Sequence, residues 1–245
     1  MSKTILTNVR TFAVGADLTG ASNKIELSAE VEDKDATTYA SQGWKEVLGG
    51  LASAEISGEG RWEAGDPTKV DDASWAQLGG VGPWSISANN AANVGDLAYF
   101  TSALRSQYKV FDAVGEVAPW SGTAKSSWPL VRGQFAHPPG TARTANGTGT
   151  ALQVGAVSAG RRMYAALHVL SASGTTPSLT ARVESAPDNT FAAPTTRLTF
   201  AAASAAGGQA LRTDGTAITD TWWRIAWTIT GTTPSFLFVV ALGIQ

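Results

Sequence analysis

Residues 33–62 read DKDATTYASQGWKEVLGGLASAEISGEGRW. From Asp33 to Gly43 the stretch is polar and has no periodicity. Apolar residues return only at Trp44, Val47, Leu48 and Leu51, a spacing that predicts a short helical turn stopped by the neighbouring glycines. Ala52 to Trp62 then reads as a strand, with Glu55, Ser57 and Glu59 set between smaller residues and an aromatic at its end. On the other side, Asn23 to Asp33 alternates: Ile25, Leu27, Ala29 and Val31 fall on one face, and Lys24, Glu26, Ser28, Glu30 and Glu32 on the other, the pattern of a half-buried strand. A long polar arm therefore joins two strands. Loops beyond about a dozen residues in a compact domain usually carry function, which makes the arm a candidate contact element. Nothing in it suggests chemistry.

The chain around this arm has 245 residues, enough for one large β domain or two medium ones. Charged residues make up 16%, below the roughly 25% usual for soluble domains, which suits a surface partly covered by neighbours. Residues 1–140 hold 16 acidic against 11 basic residues, whereas 141–245 hold 4 against 7 and no lysine. This balance does not suggest a nucleic-acid grip, which needs clustered Lys and Arg; it suits a surface that DNA must pass without sticking. The absence of cysteine excludes a disulfide framework and thiolate chemistry. Met1 to Arg10 is polar and mixed and does not read as an export signal. The most apolar stretch, 236–244, is too short to cross a bilayer as a helix and reads as a buried strand.

Asp71 to Leu78, with an acidic first turn and Gly79-Gly80 behind it, predicts a short helix packed through Trp75. Strands are expected at 84–87, 97–110 and 130–135. The turn-rich run 137–149 suggests a boundary: a β domain at 1–140, a linker at 141–149 and a second β domain at 150–245. In the latter, Ser173-Gly-Thr-Thr-Pro-Ser-Leu179 recurs as Thr230-Gly-Thr-Thr-Pro-Ser-Phe236, which predicts two hairpins of one turn design in an antiparallel β-sandwich. The expected fold class is mostly β.

A search for chemistry finds little. His137 and His168 are the only histidines, one against Pro138 at the start of the turn-rich run 137–149 and one within an alternating strand; both read as satisfied or surface histidines rather than catalysts. No nucleophile elbow, phosphate loop or zinc-helix motif is present. Glu32, Asp33 and Asp35, or Asp66, Asp71 and Asp72, lack calcium-loop spacing and read as solvated acids. Asn146-Gly147-Thr148 reads as a turn. The expectation is no enzyme, no cofactor and no metal. Nine tryptophans leave core burial, inter-subunit contact and a sugar platform open, with Trp222-Trp223 placing rings on opposite faces of one strand.

The Gly-Trp-Lys-Glu-x-Leu-x-Gly-Leu stretch at 43–51, after an extended loop and before a Gly-x-Trp strand, resembles the corresponding region of major tail proteins, the tail-tube subunits of long-tailed bacteriophages. The order of elements over residues 5–136 is similar too. The resemblance implies a β-sandwich with one short helix and a long arm. It also implies self-assembly into stacked hexameric rings forming a tube, other tail proteins at the tube ends, and DNA passing through the lumen without specific binding. The setting it implies is the virion tail, after synthesis in the host bacterial cytoplasm, with no membrane insertion. Carried over by position, the assembly arm is Asp35, Thr38, Tyr39, Gly43, Trp44, Lys45 and Glu46, and Glu26, Glu30 and Glu32 form a candidate lumen face. The C-terminal half departs from a minimal tube subunit and resembles the additional β domain that such proteins carry on the tube exterior. A carbohydrate- or receptor-binding β-rich module of a phage tail is the competing expectation.

Overall fold

Alternating small apolar and polar residues drive most of this chain into strands. The computed structural model describes residues 5–245 and holds one α-helix and a large antiparallel sheet. The first half supplies β1 (Arg10–Ala13), β2 (Ala16–Asp17), β3 (Ser22–Asp35), β4 (Val47–Arg61), α1 (Val70–Gln77), β5 (Val81–Ser87), β6 (Leu97–Val110), β7 (Pro119–Ser126) and β8 (Val131–His137). Hydrogen-bonded neighbours run β3-β4-β7-β6-β5-β1-β2. The long β6 divides its second edge, pairing Leu97–Phe100 with β8 and Ala103–Val110 with β7.

Helix α1 covers one face of this sheet. Asp71 and Asp72 sit in its first turn, where the exposed N–H groups favour negative charge, and Gly79 at φ 78° follows its end. Val70 and Ala73 pack with Ile56, Trp84, Ile86, Trp120 and Ala124 into an apolar cluster. Burying each of these indoles contributes on the order of 2–3 kcal/mol. Trp75 is not the packing residue the sequence suggests: it is 71% exposed. Positions 70, 73 and 74 form the buried stripe, and Trp75 stands about 100° further round the helix.

The second half contains β9 (Gly147–Thr148), β10 (Leu152–Gln153), β11 (Met163–Ala186), β12 (Thr195–Thr199), β13 (Gly207–Arg212) and β14 (Trp222–Ile244). β11 and β14 pair antiparallel along their whole length, from Met163↔Ile244 to Ala186↔Trp222. The two Gly-Thr-Thr-Pro segments are therefore not hairpin turns, contrary to the sequence reading. They face each other midway along the strand pair, with Thr175 opposite Thr232, and register shifts there. Gly174 and Gly231 adopt φ 115° and 120°, and Thr176 and Thr233 adopt φ 47° and 48°. These left-handed positions bend a strand without reversing it.

Beyond the bend each strand changes neighbours. The first half of β11 takes β13 and the second half β12, while β14 takes β9 and β10 near its start and β8 near its end. The inward residues from both sides of the bend, among them Leu167, Val183, Trp223, Phe236 and Phe238, form one cluster. This is the arrangement of sheets whose corners are strands passing from one layer to the next. Phe236 to Leu242 is buried strand, as its composition predicts, apart from half-buried Leu237.

A third cluster joins the halves: Phe12, Phe100, Val131 and Phe135 pack with Tyr164, Ala166, Val239 and Ala241. The sheet itself continues across, with Phe135 of β8 opposite Ala241 of β14. Between them, Arg143 bridges to Phe236, and Gly147 lies opposite Trp227. Asn146-Gly147 is thus the entry to a strand and not the turn the dipeptide suggests. A Cβ at Gly147 would stand 2.7 Å from the Trp227 ring, and the Asn146 carboxamide oxygen accepts the Ile229 N–H at 2.7 Å.

Candidate functional site

Only the lower part of the β3–β4 hairpin belongs to the main sheet, because β7 pairs with β4 from Glu55 to Arg61 and no further. Above Ala29 and Ala54 the two strands continue as a free ribbon to Asp35 and Val47, roughly 20 Å at the usual strand rise. The expected helical turn at Trp44–Leu51 does not form. Val47 to Leu51 belong to β4, where Val47, Leu48 and Gly49 pair with Asp35, Lys34 and Asp33. A β-branched residue and two glycines make a poor helix, and the ladder with β3 satisfies the backbone instead.

The tip is closed by its own hydrogen bonds. Ala36 N–H donates to the Glu46 carbonyl at 2.9 Å, and Glu46 N–H donates to the Thr37 hydroxyl at 3.0 Å. Thr38 caps a short 3-10 turn, accepting from Ala40 N–H while its own N–H donates to Ser41 Oγ. Gln42 and Gly43, at φ 50° and 84°, reverse the chain. Hydrogen bonds from the Thr37 hydroxyl and N–H hold the Asp35 carboxyl below its usual range. The structure thus brings Asp35, Thr38, Tyr39, Gly43, Trp44, Lys45 and Glu46 together at one tip. Asp35, Thr38 and Gly43 shape it, Lys45 lies 3.9 Å from Asp33, and Tyr39 and Trp44 project into solvent.

The alternation accounts for part of the ribbon's exposed apolar surface. Ile25, Leu27, Ala29 and Val31 share a face with Ile56 and Ala54, which are buried at the ribbon's base. That face outruns the core, so Val31 is left exposed. Leu48, opposite Lys34, falls on the other face and is 64% exposed, Leu51 at the bulge is 82% exposed, and Trp44 at the tip is 79% exposed. Further exposed apolar side chains stand at Trp75, Leu78 and Val81 and in the β6–β7 loop at Phe111, Val114 and Val117. All strongly exposed large apolar side chains among the described residues fall at or before Val117; the chain beyond exposes none. So many exposed large apolar side chains in one half of a chain suit an interaction surface.

Glu26 and Glu30 lie exposed on the opposite face of the ribbon's base, with Glu55 and Glu59 across the strand pair. Lys24 stands 3.4 Å from Glu26 and 3.9 Å from Glu59, and Lys34 pairs with Glu32 beyond the bulge at Val31/Asp33. These exposed pairs are weakly stabilising and leave the face acidic.

Both histidines are interior. His168 accepts the Gly15 N–H on Nδ1 at 3.4 Å, which leaves the proton on Nε2 to bond Ser85 Oγ at 2.8 Å. A serine–histidine contact can signal a nucleophile, but Ser85 and His168 are both fully buried, and the group on Nδ1 is an N–H where a triad has a carboxylate. The pair ties β11 to β5. His137 bonds the Phe238 carbonyl from Nδ1 and stacks on the Phe238 ring. Burial pushes His168 down to about 3 and His137 down to about 4. The acids considered as cation ligands are each engaged locally: Asp66 bonds Thr68, Asp71 accepts the Tyr108 hydroxyl and Asp72 accepts the Gly65 N–H.

The tryptophans divide clearly. Trp120, Trp223 and Trp227 are buried with their N–H groups bonded to the carbonyls of Ala21, Gly155 and Ala145, and Trp84 is buried in the sheet core. Trp62, Trp128 and Trp222 are half-buried. Trp44 and Trp75 alone are strongly exposed, both in the first half.

No protein-family model matches the chain, and no curated protein matches it. Among solved structures, a protein in the virion of a native gene transfer agent particle is 19% identical with a TM-score of 0.43, over 53% of this chain and 98% of that one. A chain from the tail of an empty gene transfer agent particle with C6 symmetry is 18% identical with a TM-score of 0.41, over 51% and 93%. The Dit protein of phage SPP1, described as a hub adsorption apparatus protein, is 8% identical with a TM-score of 0.33, over 97% and 99%. At such scores these descriptions belong to those proteins and assign nothing to this chain.

Proposed function

We propose that the chain is a structural subunit of a phage-type tail that assembles with its own copies, in stacked hexameric rings, into a tube through which DNA passes. The observation that carries this reading is the partition of apolar surface: the ribbon, the end of α1 and the β6–β7 loop all present uncovered apolar side chains, and everything beyond Val117 does not. A surface built that way is stable in water when neighbours cover its first half and solvent meets its second. The resemblance of residues 5–136 to tail-tube subunits supplies the form of the assembly. In it the tip from Asp35 to Glu46 contacts a neighbouring copy. The outer edge of β3, which pairs with no other strand among the described residues, joins a neighbour's sheet, which closes its open N–H and C=O groups, and cyclic symmetry lets one surface pair serve every contact.

Glu26, Glu30 and Glu32 are assigned to the lumen, where negative charge repels the DNA backbone and keeps it from sticking. The second half, residues 150–245 after the 141–149 crossing, stands on the exterior while staying joined to the first through the β8–β14 pairing. The tryptophans do not favour the sugar-platform alternative, because no indole beyond Trp75 is strongly exposed. The test is sedimentation velocity over a range of concentrations. The native chain is expected to form large assemblies, and a Trp44→Ser, Leu48→Ser, Leu51→Ser variant is expected to stay monomeric; equal assembly by both would remove the ribbon from the interface.

A further inference from the structure

Where β8 meets the end of β14, a groove of about 680 Å³ opens to solvent. Arg132, Arg161, Gln134, Gln153 and Ser158 give it polar groups, and Leu97, Val154 and Ile244 give it apolar patches. No carboxylate lines it. Asp96 is the acid next to the lining residues Gly95 and Leu97, and its Oδ2 is engaged by the Asn89 side-chain N–H at 2.9 Å and the Asn93 backbone N–H at 2.7 Å.

Most arginines among the described residues are committed to a carboxylate or a ring. In the second half, Arg182, Arg197 and Arg224 pair with carboxylates, and Arg143 and Arg212 lie over the rings of Trp227 and Trp128. Arg161 and its neighbour Arg162 do neither, nor does Arg132 on β8; among the described residues no carboxylate lies within ion-pair distance of the two groove arginines, Arg132 and Arg161. Two uncommitted guanidinium forks in one groove are suited to carboxylate or phosphate oxygens, which they meet in bidentate fashion. The amides of Gln134 and Gln153 and the Ser158 hydroxyl match hydroxyl groups. No aromatic ring lines the groove, which disfavours nucleobases, since sequence-tolerant strand binding relies on stacking. The volume fits a few sugar units.

We propose that this groove binds an acidic polysaccharide through its charged groups. The inference does not depend on the assembly reading, and it differs from the sugar platform considered for the tryptophans because it works by charge and hydroxyl matching. Titration calorimetry on the full chain with trigalacturonate, maltotriose, inorganic phosphate and a twelve-nucleotide oligothymidylate tests it. The acidic trisaccharide is expected to bind, more weakly as salt rises. Binding is expected to fall at least tenfold in an Arg132→Gln, Arg161→Gln variant and to persist in Arg61→Gln, a change to an exposed arginine outside the groove. Maltotriose is expected to give no heat. Both groove arginines are exposed, and coincident melting curves establish that the variants fold. Four results would overturn the proposal: no binding of trigalacturonate, binding indifferent to both groove arginines, phosphate binding as tightly as the trisaccharide, or tighter arginine-dependent binding of the oligothymidylate, which would assign the groove to nucleic acid.

Discussion

His168 and His137 are held neutral by burial, with His168 at about 3 and His137 at about 4. In the unfolded chain a histidine titrates near 6.5. Between about 6.5 and 4 the unfolded chain therefore binds protons that the folded chain refuses. The stability tied to each histidine is complete above about pH 6.5 and is lost as pH falls toward the folded values, at ~1.4 kcal/mol per pH unit. Urea unfolding at pH 7.5 and pH 5.5 is expected to show this loss. His168→Gln, which cannot titrate there, is expected to flatten the dependence by one histidine's share; parallel pH dependences would mean that His168 is not protonated on unfolding. The sequence reading left both residues as satisfied or surface histidines; their burial decides for the first, and Ser85 and Gly15 as partners are brought near only by the fold.

Arg105 gives a second residue-scale test. It is 2% exposed, lies over Trp84 and Tyr108, and its guanidinium nitrogens have no hydrogen-bond partner among the described residues. Burial lowers it to about 10. Replacing an uncompensated buried charge by an apolar residue of similar volume is often neutral or stabilising, so Arg105→Met is expected to leave the unfolding free energy unchanged or raise it by about 1–2 kcal/mol. Tyr108→Phe, which removes the bond to Asp71, is expected to cost about 1 kcal/mol. A large loss in Arg105→Met would show that the arginine has stabilising partners.

At the scale of elements, the bend in β11 and β14 is reciprocal. A Cβ on Gly174 would stand 2.8 Å from the Thr233 carbonyl oxygen, and one on Gly231 would stand 2.8 Å from that of Thr176. With both glycines also at positive φ, Gly174→Ala or Gly231→Ala is expected to cost about 2–4 kcal/mol in thermal or urea unfolding; near-neutral changes would mean that the bend is soft. The ribbon behaves oppositely. Its apolar residues are already in solvent, so the triple serine variant is expected to keep its melting temperature while losing assembly.

The alternation of 23–33 and the unbroken apolar run of 236–244 were legible, and both are strands because their surroundings cover apolar side chains that each pattern offers. The spacing of Trp44, Val47, Leu48 and Leu51 fits a helix just as well, and β3 decided otherwise. β7 was missed because Ser121, Gly122 and Thr123 carry no pattern; β4 and β6 on either side define it. The Gly-Thr-Thr-Pro echo was visible as a repeat, but a bend and a turn share their local residues, and pairing between distant strands settles which one forms.

For the whole molecule, burial depends on contacts between residues far apart in sequence. The mostly β class was therefore readable, whereas the third cluster and the partition of apolar surface were not. The arm was placed by its resemblance and its polar length, while the exposure of Val31, Leu48 and Leu51 emerged only once the ribbon was seen to leave the sheet. Because β8 pairs with β14 and Phe12, Phe100 and Phe135 pack on Tyr164 and Val239, the two halves are expected to unfold in one calorimetric transition. The central claim, that copies of this chain cover one another's first halves, is tested most directly by negative-stain microscopy of the purified protein across concentration, with the triple serine ribbon variant alongside. Rings or tubes from the native chain that are absent from the variant are the predicted result. A discrete small particle at every concentration, the same for both chains, would contradict it.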